Sequence, residues 1–183
     1  MRSLSHQCLG RYLADHFMIG IRDRHIKAFL FGCIQPDRNP ATYLKGSVRC
    51  QWLRGHNYPN AQRFMQRISR RLEKKSTWNL YDYYTLGKLI HYTTDAFTYA
   101  HNGDFPSRLS SHMEYEAILQ EHFLSYMAED PQIDITLCEN IFHTIYRYHR
   151  EYEQAEHSVR KDSRYALAAC CCVMAVLFAK PFL

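Results

Sequence analysis

Two pairs of a histidine and a carboxylate, each four residues apart, stand out in the middle of the chain. His91 is followed by Asp95, His112 is followed by Glu116, and His101 lies between the two pairs. Residues four apart lie on the same face of a helix, so each pair would direct two side chains toward one point. Imidazole and carboxylate are ligands of zinc-type divalent metals. The spacing therefore predicts a site for more than one metal ion and a hydrolytic metalloenzyme.

Each of these residues also has an ordinary structural explanation. An isolated histidine on an apolar helix face, such as His91, is more often a buried core residue than a ligand. His112 and Glu116 could form a surface pair worth only a few tenths of a kcal/mol. Asp95 favours the metal interpretation, because it lies in the apolar sequence TTDAF and an ionised carboxylate is costly to bury without a cation.

The composition is typical of one globular, helical domain. The chain has 183 residues, of which 46% are hydrophobic and 22% are charged, so residues 1–183 can form a single domain with a sizeable core. Seven glycines and six prolines leave few turns and favour long helices. The net charge of +5 is compatible with a phosphate-bearing substrate but does not identify one. The basic segment 63–75 is more typical of a solvated helix face than of a nucleic-acid patch.

The spacing of apolar residues predicts seven helices and no sustained strand alternation. Pro36 and Pro40 are expected to end the second helix and to open a loop over residues 41–58. The fold class is therefore an all-α, single-domain bundle of about seven helices. The predicted helices cover residues 4–17, 23–33, 61–75, 79 or 82 to 99, 111–128, 134–158 and 162–179.

The cysteines and the chain ends lead to an expected location. Seven cysteines, three of them consecutive at 170–172, are typical of buried free thiols in a reducing compartment. The amino-terminal segment lacks the continuous apolar stretch of a secretory signal, so we expect a cytoplasmic protein. The apolar segment 166–179 is shorter than the about twenty residues needed to span a bilayer. We expect it to be a core helix, with no stable membrane insertion.

The segment LGKLIHYTTDAFTYAHN at residues 86–102 resembles the signature of the zinc-dependent phospholipase C family. In that family a helix carries His-x3-Asp, a histidine follows six residues after the aspartate, and a His-x3-Glu pair lies on the next helix. The five residues named above match this order and spacing. Upstream, Asp37 follows a glycine-containing segment and His56 follows Gly55, which fits two further ligand positions of the family. The resemblance spans residues 5–117 and implies the fold of the phospholipase C and P1 nuclease superfamily.

The resemblance implies two or three zinc ions. One ion would be held by Asp37, His56, His91 and Asp95, and a second by His101, His112 and Glu116. A third would share Asp95 as a bridging carboxylate and would add a histidine and the amino-terminal amine from the first segment.

The sequence departs from the family at its amino terminus. Secreted members begin with a tryptophan that binds the third zinc, whereas the tryptophans here are Trp52 and Trp78. His6 is the first candidate for the histidine of this site, with His16 and His25 as alternatives.

The resemblance also implies an activity, the hydrolysis of phosphate esters by a zinc-activated water. Asp37 would act as general base or would orient the water, with Glu116 as the alternative base. The expected substrate is a phospholipid or its head group. Because the same pattern is similar to single-strand nucleases of the P1 type, nucleic acid is an alternative substrate. A non-catalytic zinc-binding protein with the same fold is a second alternative.

Overall fold

Seven α-helices form the part of the chain that the computed structural model describes, namely residues 1–39, 41–42, 56–103, 105, 109–133 and 140–178. No strand occurs among these residues, so the prediction of an all-α bundle of about seven helices is confirmed. Parts of the predicted loop 41–58 (43–55), of the sixth predicted helix (134–139) and of the seventh (179) lie outside the described residues. The helices are α1 (Ser3–Phe17), α2 (Asp23–Arg38), α3 (Tyr58–Glu73), α4 (Leu80–Ala96), α5 (Leu109–Ala128), α6 (Ile141–Gln154) and α7 (Val159–Phe178), with a short 3₁₀ helix (Tyr99–His101) between α4 and α5.

Helix α4 lies at the centre and packs against α1, α2, α3 and α7. It begins at a capping box, in which Asn79 accepts from the Asp82 N–H and the Asp82 carboxylate accepts from the Asn79 N–H. From Leu86 to Ala96, all residues but Lys88 are buried, as expected for a helix surrounded by other helices. The two predicted ligands of this helix, His91 and Asp95, therefore point into the interior of the bundle.

Helix α4 ends at Ala96, three residues before the predicted end. The reason is a set of side-chain bonds that compete with further helical bonding. The Asn102 amide donates to the carbonyl oxygens of Ala96 (3.1 Å) and Thr98 (2.9 Å), and the Tyr99 N–H donates to Asp162 on α7 instead of to its own helix. The chain turns here into the 3₁₀ helix that carries His101.

Helices α2 and α4 approach each other backbone to backbone at a pair of glycines. A Cβ atom on Gly32 would lie 2.1 Å from the carbonyl oxygen of Tyr84, and one on Gly87 would lie 2.1 Å from the carbonyl oxygen of Phe29. Any side chain at either position would force the helices apart. This contact sets the separation of the two helices close to their candidate ligands. Gly87 lies one turn before His91 on α4, and Gly32 lies somewhat more than one turn before Asp37 on α2.

The predicted end of α2 at Cys33 is wrong, because the helix continues to Arg38 with Pro36 inside it. Proline at this position removes the bond to the Gly32 carbonyl, but tertiary bonds hold the last turn. The Thr42 hydroxyl donates to the Pro36 carbonyl (2.6 Å), and the Ser3 hydroxyl donates to Asp37 Oδ2 (2.7 Å). Asp37 is thus a residue of a helix end and not of a free loop.

Helix α7 forms one wall of the core. Its residues from Cys170 to Val176 are buried against the other helices, as predicted for a core helix. Among the residues that the structure describes, no helix combines the length and the apolar character needed to cross a bilayer.

Candidate metal centre

The eight predicted ligands meet in one place, although they come from six separate parts of the chain. Helix α1 contributes His6, the end of α2 contributes Asp37, and His56 lies just before α3. Helix α4, the 3₁₀ helix and α5 supply the remaining five. Three groups within the cluster place their ligand atoms within 4.8 Å of one another: His6, His91 and Asp95; Asp37, His56 and His91; and His101, His112 and Glu116.

Asp95 is the centre of the cluster and is completely buried. Its Oδ2 lies 3.2 Å from His91 Nε2 and 3.3 Å from His56 Nδ1. Its Oδ1 faces the opposite way, 3.2 Å from His6 Nε2 and 3.7 Å from His101 Nε2. The two oxygens thus serve two different sets of imidazoles, which is the arrangement a bridging carboxylate requires.

The group of Asp37, His56 and His91 is held by bonds on the outer side of each ligand. His91 Nδ1 donates to the Cys33 carbonyl (2.8 Å), which directs Nε2 at the cluster. His56 Nε2 lies 3.1 Å from the Thr42 hydroxyl, so that its Nδ1 faces inward. Bonds of this kind fix the ring orientation and the tautomer of metal-binding histidines.

The second group joins the 3₁₀ helix to α5. His101 Nε2 lies 3.1 Å from Glu116 Oε1, and His112 Nε2 lies 3.5 Å from the same oxygen. His112 and Glu116 occupy adjacent turns of α5, as their spacing predicted. The group is complete only because the 3₁₀ helix brings His101 against this face of α5.

His6 and the amine of Met1 lie on the Oδ1 side of Asp95. The His6 ring stacks on His91 at a centroid distance of 3.9 Å. The Met1 nitrogen is 2.8 Å from Asp95 Oδ1, 2.8 Å from Glu116 Oε1 and 2.9 Å from His101 Nε2. The amine therefore connects Asp95 to the group on α5.

The carboxylates Asp95 and Glu116 and the imidazoles His6 and His101 have the protonation states that metal ligands need, whereas, despite burial, the nearby carboxylates raise the pKa of the Met1 ammonium to about 11. Burial alone would raise the pKa of Asp95, but the nearby His101, Met1 ammonium and other imidazoles hold it well below its usual value. The pKa of Glu116 is lowered for similar reasons. Burial lowers the pKa of His6, and it lowers that of His101 to about 4. The carboxylates are thus ionised and these imidazoles neutral at pH 7, as metal binding requires.

Unsatisfied buried atoms support the fit of a metal to this donor set. Asp95 Oδ2, both ring nitrogens of His6 and Nδ1 of His101 are buried without a hydrogen bond of good geometry. Buried polar atoms in folded proteins nearly always have such partners. Five imidazoles and three carboxylates form a nitrogen and oxygen donor set of the kind zinc accepts.

The shared ligand His91 limits how the groups can be used together. It belongs to two of the three groups, yet only its Nε2 faces the cluster, because Nδ1 is bonded to Cys33. One nitrogen lone pair binds one ion. Two of the three groups can therefore be filled completely at once, one that contains His91 and the one formed by His101, His112 and Glu116.

The cluster opens to solvent through a cavity of about 340 Å³. His6, His91 and Asp95 are buried behind it, whereas Asp37, His112 and Glu116 are partly exposed at its mouth. The Arg2 guanidinium at the mouth donates to the Met113 carbonyl of α5 (2.9 Å). The lining residues are Met1, Arg2, Ser3, Asp37, His56, His101, His112 and Glu116.

The fold and this cluster define a helical protein with a buried group of side chains that could hold metal. The chain belongs to the zinc-dependent phospholipase C family, because the family model described as "Zinc dependent phospholipase C" matches residues 5–160. All eight candidate ligands fall within this match. Comparisons with curated proteins and with solved structures give no significant match.

The other histidines considered for the third site lie elsewhere. His16 is exposed, stacks on Tyr12 and lies 3.8 Å from Asp130, and His25 stacks on Tyr83. Of the three candidates, only His6 reaches the cluster.

Several residues around the cluster were not found from the sequence. The Ser3 hydroxyl contacts Asp37, which is 34 residues away. The Thr42 hydroxyl contacts His56, 14 residues away, and the Cys33 carbonyl contacts His91, 58 residues away. No local spacing relates them to those ligands, so only the folded structure could identify them.

Proposed function

We propose that the protein is a zinc-dependent phosphodiester hydrolase that acts on phospholipids or on their head groups, as its family implies. The observation that carries this proposal is the position of Asp95 between two sets of imidazoles. When bound, zinc would bind phosphate oxygens, neutralise developing charge and lower the pKa of water toward neutral. The group of Asp37, His56 and His91 and the group of His101, His112 and Glu116 would hold two ions. His6 and Asp95 are the candidate ligands of a third, which the Met1 nitrogen would join after losing the proton that makes it an ammonium at pH 7.

Asp37 is the residue that we propose as general base or water orienter. Its carboxylate lines the cavity, and Ser3 fixes Oδ2 while Oδ1 faces the imidazoles of His56 and His91. A carboxylate held in this way keeps one oxygen directed at the place where a water must be oriented. Glu116, which also lines the cavity, is the alternative base.

Two features of the mouth suit a phospholipid, a cation for the phosphate of any phosphodiester and apolar side chains that favour a lipid over a nucleic acid. Arg2 places a permanent cation there, and a guanidinium binds phosphate with paired N–H groups. Leu4 and Met113 belong to the segments that form the mouth, and each is about half exposed (50% and 56%). A cavity of about 340 Å³ suits a head group and its phosphate, with these apolar side chains beside the lipid portion.

The test combines metal analysis with a comparison of substrates. The purified chain should contain at least two zinc equivalents at neutral pH and should release a phosphorylated head group from phosphatidylcholine. Single-stranded DNA, assayed in parallel, should not be cleaved. DNA cleavage without lipid hydrolysis would instead identify a nuclease, and bound zinc without turnover of either substrate would identify a non-catalytic zinc protein.

Asp95→Asn is the decisive variant. Because it removes the charge shared by both sets of imidazoles, we expect it to lose both zinc retention and phosphodiester hydrolysis. Asp15→Asn, at an exposed position of α1, is the matched control and should behave as wild type. Full activity of Asp95→Asn would contradict the assignment.

A further inference from the structure

A buried carboxylate outside the metal cluster, Asp162 on α7, joins three elements of the fold. It is completely buried. Its Oδ2 accepts hydrogen bonds from the Tyr99 N–H (2.8 Å) and the Tyr115 hydroxyl (2.8 Å), and its Oδ1 accepts from the Tyr152 hydroxyl (2.7 Å). Burial raises the pKa of Asp162, and the three donors counteract this by stabilising the ionised form.

Two of these three donors lie within two residues of a candidate metal ligand in the chain. Tyr99 is the first residue of the 3₁₀ helix, two residues before His101, and Tyr115 immediately precedes Glu116 on α5. Both donate to the same oxygen atom, so this atom fixes the position of the 3₁₀ helix against α5. The two tyrosine rings also pack edge to face, with centroids 5.8 Å apart.

The third donor is not adjacent in the chain to a candidate ligand. Tyr152 lies on α6, and its hydroxyl donates to the other oxygen of Asp162. It donates to the same carboxylate as the first two donors and is more deeply buried than either, but α6 contributes none of the candidate ligands. The pair Tyr115 and Tyr152 therefore provides a matched comparison within one bonding network.

We propose that Asp162 is a positioning residue that holds His101 and Glu116 at the separation their shared metal ion requires. The inference rests on the proposed zinc function of the cluster. The 3.1 Å contact between His101 Nε2 and Glu116 Oε1 joins the 3₁₀ helix to α5 through two residues that are fifteen apart in the sequence. Asp162 joins the same two elements through Tyr99 and Tyr115.

The experiment measures zinc affinity in competition with a chelator for wild type, Asp162→Asn, Tyr115→Phe and Tyr152→Phe. In Asp162→Asn and Tyr115→Phe, we expect one zinc equivalent to bind at least about tenfold more weakly, the lower end of the range for bonds that support metal ligands. The zinc equivalent assigned to Asp37, His56 and His91 should bind as in wild type. In Tyr152→Phe both should be unchanged, even if its melting temperature falls.

The outcomes separate this inference from the proposed function. If wild type binds no zinc, both are overturned. If wild type binds zinc and hydrolyses phosphodiesters while Asp162→Asn and Tyr115→Phe keep full affinity for every equivalent, only the positioning role of Asp162 is overturned. Equal weakening in Tyr152→Phe and Tyr115→Phe also overturns it, because that result indicates a general loss of packing. Tyr115→Phe keeps the test decisive if Asp162→Asn does not fold.

Discussion

At the scale of single residues, Asp37 and Glu116 have different surroundings although both are partly exposed carboxylates of the cavity. Asp37 has one oxygen tied to Ser3 and lies beside two imidazoles. Glu116 receives contacts from His101, His112 and the Met1 amine on a single oxygen. Three nitrogen atoms surround Glu116 Oε1, which is the position expected of a metal ligand. Asp37 is fixed at Oδ2 only, so its Oδ1 can orient a water.

The two carboxylates can be distinguished by separating turnover from metal content. With zinc in excess, so that the site containing Asp37 stays filled, we expect Asp37→Asn to lower kcat by about 100-fold or more, in line with the contribution of a general base, and we expect Glu116→Gln to lose zinc first. Both variants would be assayed for zinc equivalents and for hydrolysis of phosphatidylcholine. Asp23→Asn, at the exposed start of α2, is the control. Loss of turnover with full zinc content in Glu116→Gln, but not in Asp37→Asn, would assign the base to Glu116.

We expect His149 of α6 to make stability depend on pH. Its Nε2 donates to Asn102 Oδ1 (3.0 Å), its ring stacks on Tyr58, and burial lowers its pKa to about 4. Below about pH 6.5 the unfolded chain takes up a proton that the folded imidazole does not accept. The contribution of His149 to stability is therefore complete above that pH and decreases as the pH falls toward 4.

The expected size of this effect can be isolated with His149→Gln, which keeps a donor for Asn102 but does not titrate. Between pH 7 and pH 5, the free energy of unfolding of wild type should fall by about 2 kcal/mol more than that of the variant. Urea unfolding at both pH values measures the difference. Equal losses in the two proteins would show that the pKa of His149 is the same in the folded and unfolded states, contrary to what its burial indicates.

At the scale of elements, the contact between α2 and α4 at Gly32 and Gly87 positions ligands of both helices. The two helices carry Asp37, His91 and Asp95, and their separation is set by backbone atoms in contact. Side chains at this contact would change the separation, and with it the distance from Asp37 to the imidazole of His91.

Gly87→Ala tests this contact. The added Cβ would lie 2.1 Å from the Phe29 carbonyl oxygen, and since backbone cannot move aside cheaply, we expect a loss of more than about 2 kcal/mol in the free energy of unfolding. Gly103→Ala, where nothing lies within 4 Å of the added atom, should change stability by less than about 0.5 kcal/mol. Both are measured by chemical unfolding. A neutral Gly87→Ala would show that the helices are farther apart than described.

At the scale of the whole molecule, the cluster links α1, α2, α4 and α5, so metal binding should stabilise the entire bundle. Removing an ion present at 1,000 times its Kd costs about 4 kcal/mol, which for a chain of this length corresponds to a fall of roughly 10 °C in Tm. We expect EDTA to produce such a fall and added zinc to reverse it. Thermal unfolding of Asp95→Asn under the same conditions is the control and should respond weakly. A wild-type Tm that is unaffected by EDTA would contradict metal binding at the cluster.

What the sequence could predict was local. Helix periodicity located seven helices, and the spacing of His91 with Asp95 and of His112 with Glu116 placed each pair on one helix face. The end of α2 was misplaced because the local rule for Pro36 was outweighed by two bonds that it does not consider, one from Ser3, which is 34 residues from Asp37, and one from Thr42, six residues after Pro36. The role of Asp162 gave no signal, because its partners are 63, 47 and 10 residues away and no motif relates them.

The contact between Gly32 and Gly87 has a consequence for how this sequence can change over time. Core side chains usually set the distance between helices, so exchanging one for another of different volume moves the helices and everything attached to them. Here two backbones touch, and that distance is independent of the side chains around it. Other apolar residues could replace buried side chains of α7, such as Cys170, Cys171 and Val173, without changing the spacing between α2 and α4. The candidate ligands on these two helices, Asp37, His91 and Asp95, thereby keep their relative positions when the surrounding core side chains vary.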